Sequence, residues 1–260
     1  MRFGMCCGID KIPLVADMGY DYVELALANV LCPEKDDGEF EPLRKQILAA
    51  PLPCETFNMF MSGDIKITGP EADMPRLSAY AATATRRAHE VGGQIIVVGS
   101  AGARNIPDGF PRDRAQWQLQ HAFKIIGEEA ALNDITVAIE PLCRKESNVI
   151  NSVPEAVQLA REVNHPRVRV LADFYHIDEE NEPMSNLIEA GDWIVHTHTA
   201  DTGRMQPGSG SYDYPAFFAA LKRIGYDTRV SLECGWNDFA AEGAPALEFL
   251  KNQWEHAADA

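Results

Sequence analysis

The stretch Ile135-Thr-Val-Ala-Ile-Glu140 combines a strand-like apolar run with a charged residue at its carboxyl end. Because alternate side chains of a strand face opposite sides, the branched residues Ile135, Val137 and Ile139 share one face, which suits packing against helices. Glu140 belongs to the other face. The pattern therefore predicts a strand that ends with a carboxylate pointing away from its helix-covered side.

Three later stretches repeat this arrangement: Arg169-Val-Leu-Ala-Asp173, Ile194-Val-His-Thr-His198 and Arg229-Val-Ser-Leu-Glu233. A single Glu or Asp at a strand end is more often a cap or an ion pair, but polar side chains in phase on four successive strands indicate a shared site. His196 has the same phase as His198. We assign His198 to the site, because it lies nearer the carboxyl end, and expect His196 to be a hydrogen-bonded interior residue.

Strand-like runs and helical stretches alternate along the whole chain. The predicted strands are Phe3–Cys7, Tyr22–Ala26, Cys54–Phe60, Gln94–Gly99, Ile135–Glu140, Arg167–Asp173, Trp193–His198 and Arg229–Cys234. The predicted helices lie near Ile12–Met18, Pro42–Ala49, Met74–Val91, Arg112–Ala131, Pro154–Val163, Met184–Ala190, Pro215–Ile224 and Pro245–His256. Strict alternation favours a parallel sheet with right-handed crossovers. Eight such units in 260 residues fit an α/β fold of the closed (β/α)8 type, the TIM barrel, which typically has about 250 residues.

We predict a single domain that covers residues 1–260, since no linker, low-complexity tract or composition change divides the chain. No G-x-G-x-x-G turn follows the first strand, which disfavours a dinucleotide-binding sheet. Phe57, Asn58 and Trp236 are expected at the barrel mouth, where they can wall a pocket; for Trp236, a packing role is equally expected. Glu24 in the second strand is expected to line the barrel floor, and no catalytic role is assigned to it.

The composition disfavours several classes of function. A formal net charge of −16, without a Lys/Arg-rich run, disfavours binding to nucleic acid or to an anionic membrane surface. No apolar run approaches the roughly 20 residues of a membrane span, and no secretory signal is recognised. The cysteines show no C-x-x-C pair and are expected to be reduced thiols, which predicts a cytoplasmic location. They are Cys6, Cys7, Cys32, Cys54, Cys143 and Cys234.

Glu140, Asp173, His198 and Glu233 are expected to converge at the carboxyl-terminal mouth of the barrel, where the catalytic groups of this fold lie. Three carboxylates around one axis repel one another, and a divalent cation relieves that repulsion. Three oxygen donors with one imidazole form a harder ligand set than structural zinc sites use. Mn2+, Mg2+ or Co2+ is therefore preferred, and Zn2+ is the alternative.

Several segments carry a resemblance to a known family: Glu140-Pro-Leu-Cys-Arg-Lys-Glu146, Asp173-Phe-Tyr-His176, His196-Thr-His-Thr-Ala-Asp-Thr-Gly-Arg204, Pro207-Gly-Ser-Gly210 and Ser231-Leu-Glu233. They resemble the xylose isomerase-like superfamily of sugar isomerases and epimerases, and in particular the ketose 3-epimerases such as D-tagatose 3-epimerase and D-psicose 3-epimerase. The resemblance spans the barrel and is most specific after residue 130. The chain departs from the epimerases in Ser100–Phe110 and in Cys234-Gly-Trp236, two loops expected to shape the substrate pocket.

The resemblance implies one divalent metal ion, Mn2+ or a similar ion, held by the four strand-end residues. It implies that Glu140 and Glu233 also act as the acid/base pair. It further implies that Glu146, His176 and Arg204 contact the substrate. The partner is then a small-molecule sugar, and a homo-oligomer is the base-rate expectation for such an enzyme.

The residues themselves fit proton transfer beside a carbonyl group. A metal that chelates the carbonyl oxygen and the neighbouring hydroxyl oxygen stabilises an enediolate, while one carboxylate removes a proton and another returns it. Return from the far side of the same carbon is epimerisation, and return to the neighbouring carbon is aldose–ketose isomerisation. We therefore predict a metal-dependent sugar isomerase or epimerase that acts on a ketose or a related keto sugar.

Three alternatives remain open at this point. The same groups could eliminate from a 3-keto glycoside, which would make the protein a lyase or a C-glycoside-cleaving enzyme. An endonuclease IV-like DNA repair enzyme shares the fold, but that family uses a histidine-rich cluster of three zinc ions, and no Asp-x-His motif follows the seventh predicted strand here. A non-catalytic sugar-binding protein would keep the metal site without turnover.

Overall fold

The computed structural model describes residues 1–258, in which eight parallel strands close into a barrel. The strands are β1 (Arg2–Cys6), β2 (Tyr22–Ala26), β3 (Cys54–Asn58), β4 (Ile95–Val98), β5 (Thr136–Ile139), β6 (Val168–Asp173), β7 (Ile194–Thr199) and β8 (Arg229–Leu232). They follow one another around the barrel in chain order, and β8 pairs with β1 to close the sheet. The predicted (β/α)8 barrel is therefore confirmed.

Helices connect the strands around the outside of the barrel. They are α1 (Ile12–Asp17), α2 (Leu27–Val30), α3 (Asp37–Leu48), α4 (Met74–Glu90), α5 (Ala101–Arg104), α6 (Arg112–Leu132), α7 (Val153–Val163), α8 (Phe174–Glu179), α9 (Ser185–Ala190), α10 (Tyr214–Arg223) and α11 (Phe239–His256). All eight predicted helices are found. The additional helices α2, α5 and α8 contain only four to six residues, too few to show a helical period in a sequence. Within residues 1–258, no helix is long and apolar enough to cross a membrane.

Two helices start earlier than the sequence suggested. Helices α3 and α11 begin five and six residues before Pro42 and Pro245, so both prolines lie inside a helix. Proline favours the first turn of a helix, which made these residues attractive as starting points. The true starts are capped instead by Asp36 and Asp238, whose side chains accept hydrogen bonds from backbone N–H groups of the first turn.

The two faces of the strands have different environments. The side chains of Ile135, Val137 and Ile139 are buried in the large core between the sheet and the helices, as their phase predicted. Inside the barrel, one small apolar cluster lies on β4, β5 and β6; it consists of Ile95, Val97, Ala138 and Leu171. Buried polar side chains occupy β2, β3, β7 and β8; they are Glu24, Thr56, His196 and Ser231. The interior is therefore apolar on one side and polar on the other.

The residues predicted at the mouth have different positions. Asn58 lines a cavity there, as predicted. Phe57 does not, because it is fully buried in the core shared with the helices, where a Cβ added to Gly93 would come within 2.6 Å of its ring. The alternation of side chains along β3 sends these two neighbours to opposite faces. Trp236 is half-buried and packs edge to face against Phe239, with 5.2 Å between ring centroids.

Candidate active site

The four predicted strand-end residues meet at the carboxyl-terminal mouth of the barrel. Asp173 is the last residue of β6 and His198 the last but one of β7, whereas Glu140 and Glu233 directly follow β5 and β8. One possible ligand atom from each residue lies within 4.8 Å of the others. The predicted convergence is therefore present in the folded chain, because parallel strands end at one rim.

Three of these residues each carry a buried atom without a partner. Glu140 Oε1, Asp173 Oδ2 and His198 Nδ1 have no hydrogen-bond partner among residues 1–258. His198 Nδ1 lies 3.6 Å from Glu140 Oε1 and 3.4 Å from Glu233 Oε2. Unpaired buried polar atoms destabilise a fold, so several of them around one point fit a bound cation.

Burial and neighbouring charges affect the acids of the group differently. Burial raises the pKa of Asp173, although two nearby histidines oppose the shift. Burial would raise the pKa of Glu233 too, but the positive charges of His198 and Arg204 lower it to about 2. The pKa values of these two neighbouring acids therefore shift in opposite directions, because burial dominates at Asp173 and nearby positive charges dominate at Glu233.

Glu233 is held from two sides. Asn58 Nδ2 donates a hydrogen bond to Glu233 Oε1 at 2.9 Å, and Arg204 Nη2 donates to Oε2 at 2.7 Å. The sequence placed Asn58 at the mouth but did not connect it with Glu233, which lies 175 residues later in the chain. A charge-assisted hydrogen bond on each oxygen fixes the direction of this carboxylate.

The position of the Glu140 carboxylate depends on the absence of a side chain at Gly99. A Cβ added to Gly99, which follows β4, would overlap the Glu140 carboxylate, so only glycine leaves room for it. Behind it, the fully buried Arg104 donates to the backbone carbonyl of Glu140 at 2.7 Å. Burial lowers the pKa of Arg104 to about 10. In the loop Ser100–Phe110, expected to shape the pocket, Ser100 and Ala101 line the cavity at the mouth, whereas Arg104 supports the end of β5.

The residues predicted to contact a substrate surround the same mouth. Arg204 Nη1 donates to Glu146 Oε1 at 3.1 Å. His176 Nδ1 accepts the backbone N–H of Cys143 at 3.1 Å, while its buried Nε2 lies 3.6 Å from Asp173 Oδ2. The structure thus brings all the predicted site residues to one end of the barrel. Glu146 and Arg204 remain partly exposed, with side-chain accessibilities of 35% and 31%.

A buried aspartate shapes the loop that carries Arg204. Asp201 is 1% exposed, and its carboxylate accepts the backbone N–H groups of Thr202 at 2.8 Å, Gly208 at 2.9 Å and Tyr212 at 3.2 Å. Arg204 itself has a left-handed backbone with φ of 61°. The loop after β7 is therefore held in one shape from within, which directs the guanidinium to the mouth.

Glu24 belongs to the surroundings of this site, although the sequence assigned no role to it. Its side chain is fully buried, with Oε1 at 2.8 Å from His198 Nε2 and Oε2 at 2.8 Å from His196 Nε2. His196 is thus the hydrogen-bonded interior residue that the sequence predicted. Alternation in β2 shows only that Glu24 faces inward, because its histidine partners lie 172 and 174 residues later.

A cavity of about 200 Å³ opens above the group. Its lining combines charged side chains with apolar ones, among them Glu140, Glu146, Arg204, Glu233, Met59, Met61 and Leu142. Convergent polar groups at the bottom of a small concave site are typical of a site for a small polar molecule.

Comparison with known proteins gives the class of this chain. The xylose isomerase-like TIM barrel family matches residues 12–253, and the chain belongs to that family. The matched residues span the barrel from α1 to α11 and include every residue of the candidate site.

Two relatives of known activity and one crystal structure are similar to the chain. A 3-dehydro-D-guloside 4-epimerase of Escherichia coli (strain K12) is 32% identical over 151 residues, which span 55% of this chain and 58% of that protein. An L-ribulose 3-epimerase of Methylomonas sp. (strain DH-1) is 26% identical over 264 residues, 92% of this chain and 89% of the relative. The crystal structure of a 3-keto-D-glucoside 4-epimerase from E. coli in its apo form has a TM-score of 0.84 and 24% identity, with 97% of this chain and 99% of that chain covered. The structural match shows a common fold.

Proposed function

We propose that this protein is a divalent-metal-dependent sugar epimerase that moves a proton at a carbon beside a carbonyl group. The observation that carries the proposal is the cluster of buried, unpartnered atoms of Glu140, Asp173 and His198 beside Glu233. The names of both relatives, each an epimerase of a keto sugar or a ketose, support the same class of reaction. They favour epimerisation over elimination from a 3-keto glycoside.

The donor set fits a hard divalent cation. Glu140, Asp173 and Glu233 offer carboxylate oxygens, and His198 offers Nδ1, which is the nitrogen that faces them. Oxygen-rich sets of this kind favour Mn2+, with Mg2+, Co2+ and Zn2+ as alternatives. When bound, the ion would supply positive charge that stabilises the negative oxygens of an enediolate.

Glu140 and Glu233 are the proposed acid/base pair. Both approach His198 Nδ1, at 3.6 Å and 3.4 Å, and both line the cavity above it, so a sugar bound there contacts the two carboxylates. One of the two, ionised, takes the proton from the carbon, and the other, as a protonated carboxylic acid, delivers its proton to the opposite face, which inverts that carbon. Arg204 and Glu146, joined at 3.1 Å, line this cavity and are proposed to bind hydroxyl groups of the sugar. His176, proposed as the third substrate contact, lies behind the lining with its Nε2 3.6 Å from Asp173 Oδ2.

The charges around the cavity favour an uncharged sugar over a sugar phosphate. Arg204 supplies positive charge to the lining, but it already bonds Glu146 and Glu233. Among the residues that line the cavity, no cationic side chain is left to pair with a phosphate group. The phosphate would lie beside carboxylates, and like charges at such short range repel strongly.

Replacing either glutamate by glutamine tests the acid/base pair. We expect Glu140→Gln and Glu233→Gln each to lower turnover by about 10²- to 10⁴-fold, because an amide neither removes nor returns the proton. Glu41→Gln, on the exposed side of α3, is the matched control and retains wild-type turnover. Metal content is measured in every variant, since both glutamates are also proposed ligands. Wild-type rates in either site variant would exclude the two-carboxylate mechanism.

The reaction class is tested on a panel of free ketoses, ketose phosphates and 3-keto glycosides. Metal-stripped protein is resupplied with Mn2+ in deuterated water, and NMR follows deuterium uptake. We expect metal-dependent exchange at one carbon beside the carbonyl of an unphosphorylated sugar, together with formation of its epimer. Release of an aglycone without exchange on any ketose would support the lyase instead.

We also propose that the protein works in a reducing compartment such as the cytoplasm. All six cysteines are free thiols in the structure. Two of them, Cys54 and Cys143, are buried. Unpaired cysteine thiols are typical of proteins in reducing compartments. Fractionation of cells that produce the tagged protein checks the location.

A further inference from the structure

Glu24 forms an unusually complete set of hydrogen bonds in the interior of the barrel. Its carboxylate has no solvent exposure and has partners on three other strands. Oε2 lies 2.8 Å from Thr56 Oγ1 on β3, 2.8 Å from His196 Nε2 on β7 and 2.7 Å from Ser231 Oγ on β8. Oε1 has a single partner, His198 Nε2, at 2.8 Å.

The partners on Oε2 fix the carboxylate without touching the candidate metal centre. Tyr22 Oη lies 2.8 Å from Ser231 Oγ, so a chain of hydroxyl groups leads to the carboxylate. The Tyr22 ring occupies space that a side chain at residue 4 would fill, since a Cβ added to Gly4 would overlap it. One oxygen of Glu24 is thus held by the barrel, and the other is left for His198.

The chemistry of a carboxylate determines how His198 is oriented. An ionised carboxylate only accepts hydrogen bonds, so the imidazole nitrogen that faces Glu24 must carry a proton. That nitrogen is Nε2, and the opposite nitrogen, Nδ1, is the one that faces Glu140 and Glu233. A histidine whose Nε2 proton is bound in this way can offer only Nδ1 to a metal. Metal-binding histidines commonly use such a carboxylate partner.

We infer that Glu24 is a positioning residue of the metal centre, which holds the ring of His198 and keeps its proton on Nε2 so that Nδ1 is directed to the metal. This inference rests on the proposed metal-dependent function. Glu24 lies behind the histidine and has no place in the cavity lining, so it acts through His198 and not on the sugar.

Substitutions at Glu24 separate this role from general support of the fold. Glu24→Leu removes both acceptor oxygens and is expected to weaken Mn2+ binding by about 10- to 100-fold in calorimetry. Glu24→Gln keeps one oxygen that can accept from His198 Nε2, so it restores part of the lost affinity. Thr56→Val is the matched control, because it removes one of three bonds to Oε2, leaves His196 and Ser231 to hold that oxygen and leaves the Oε1 contact intact. The control is expected to bind Mn2+ like the wild type, and thermal unfolding confirms that each variant is folded.

The Nε2 proton of His198 provides a readout that does not depend on metal or activity. In ¹⁵N-histidine-labelled, metal-free protein, we expect a slowly exchanging Nε2–H resonance that disappears in Glu24→Leu and persists in Thr56→Val. A wild-type His198 without a proton on Nε2 would overturn the inference, as would unchanged Mn2+ affinity in folded Glu24→Leu. A wild-type protein that binds no divalent metal would instead refute the proposed metal centre, and with it this role of Glu24.

Discussion

At the scale of single residues, the two proposed acid/base glutamates are positioned by different means. Glu233 is fixed by donors, Asn58 on one oxygen and Arg204 on the other. Glu140 has a buried oxygen without a partner, and its carboxylate fits because Gly99 has no side chain. The position of Glu140 thus depends on open space, whereas that of Glu233 depends on hydrogen bonds.

Gly99→Ala is expected to displace the Glu140 carboxylate. The added methyl group would overlap the far end of a side chain that can rotate, so the free energy of unfolding should change little. Turnover should fall by roughly 10²-fold, because a shift of about 1 Å in a reacting group can cost that much. Steady-state kinetics and chemical unfolding measure both effects.

The control for this substitution is Gly38→Ala in the exposed first turn of α3, which is not among the residues that line the cavity at the mouth. It should leave turnover at the wild-type level. Unchanged turnover in Gly99→Ala would show that the space beside Glu140 is not required.

At the scale of elements, the loop between β7 and α10 is held by the Asp201 carboxylate. Both oxygens are used, because Oδ1 accepts from Thr202 and Tyr212 and Oδ2 accepts from Gly208. The loop carries Arg204, which reaches both Glu146 and Glu233. The Asp201 side chain, by holding the loop in one shape, therefore determines the position of Arg204 at the mouth.

Asp201→Asn is expected to destabilise this loop. One carboxylate oxygen becomes an NH2 group, which faces a backbone N–H and leaves a buried donor without an acceptor. The expected loss is about 1–3 kcal/mol in the free energy of unfolding, measured with urea. The matched control is Asp213→Asn at the start of α10, where one oxygen accepts from Ala216 and asparagine caps a helix as well as aspartate. Equal stability of the two variants would contradict the role assigned to Asp201.

At the scale of the whole molecule, the candidate site joins the ends of four consecutive strands in the second half of the barrel. Glu140, Asp173, His198 and Glu233 come from the ends of β5, β6, β7 and β8. The unfolded chain does not bring these four side chains together and therefore has no such site. A metal ion that binds all four then stabilises only the folded chain, and its binding free energy adds to the free energy of unfolding.

Metal removal is therefore expected to lower the unfolding temperature. At a concentration 100 times its dissociation constant, an ion that binds only the folded chain stabilises it by about 2.7 kcal/mol. For a protein of this size that corresponds to roughly 5–10 °C. Differential scanning fluorimetry with Mn2+, Mg2+, Co2+ or Zn2+ added to stripped protein measures the shift. Asp173→Asn should abolish the increase, and no increase in the wild type with any of these ions would contradict the metal centre.

The whole-molecule charge and the grouping of ligands weigh against a nuclease. The net charge of −16 opposes binding to a polyanion. Within residues 1–258, each group of possible metal ligands contains one histidine, either His176 or His198. A histidine-rich cluster of three zinc ions, as expected for an endonuclease IV-like enzyme, does not match these groups.

The fold and the ligand set could be predicted because both depend on local patterns. Apolar alternation identifies a strand wherever it lies, and parallel strands must end at one rim, so Glu140 and Glu233 were predicted to meet from their phase alone. Helix starts were less accurate, because Pro42 and Pro245 lie inside their helices, a position that the intrinsic preference of proline for the first turn does not predict. Phe57 was wrongly assigned to the mouth, because proximity to a strand end does not reveal which face a residue takes.

The sequence by itself determined the barrel, the four strand-end residues that converge at its mouth and the acidic character of the chain. Only the tertiary structure decided how those residues are held: Asn58 on Glu233, Gly99 beside Glu140 and Glu24 behind His198. The physical reason is that strand periodicity is set by neighbours two residues apart, whereas these contacts join side chains from different strands. Their existence depends on the register and closure of the barrel, which no local pattern encodes.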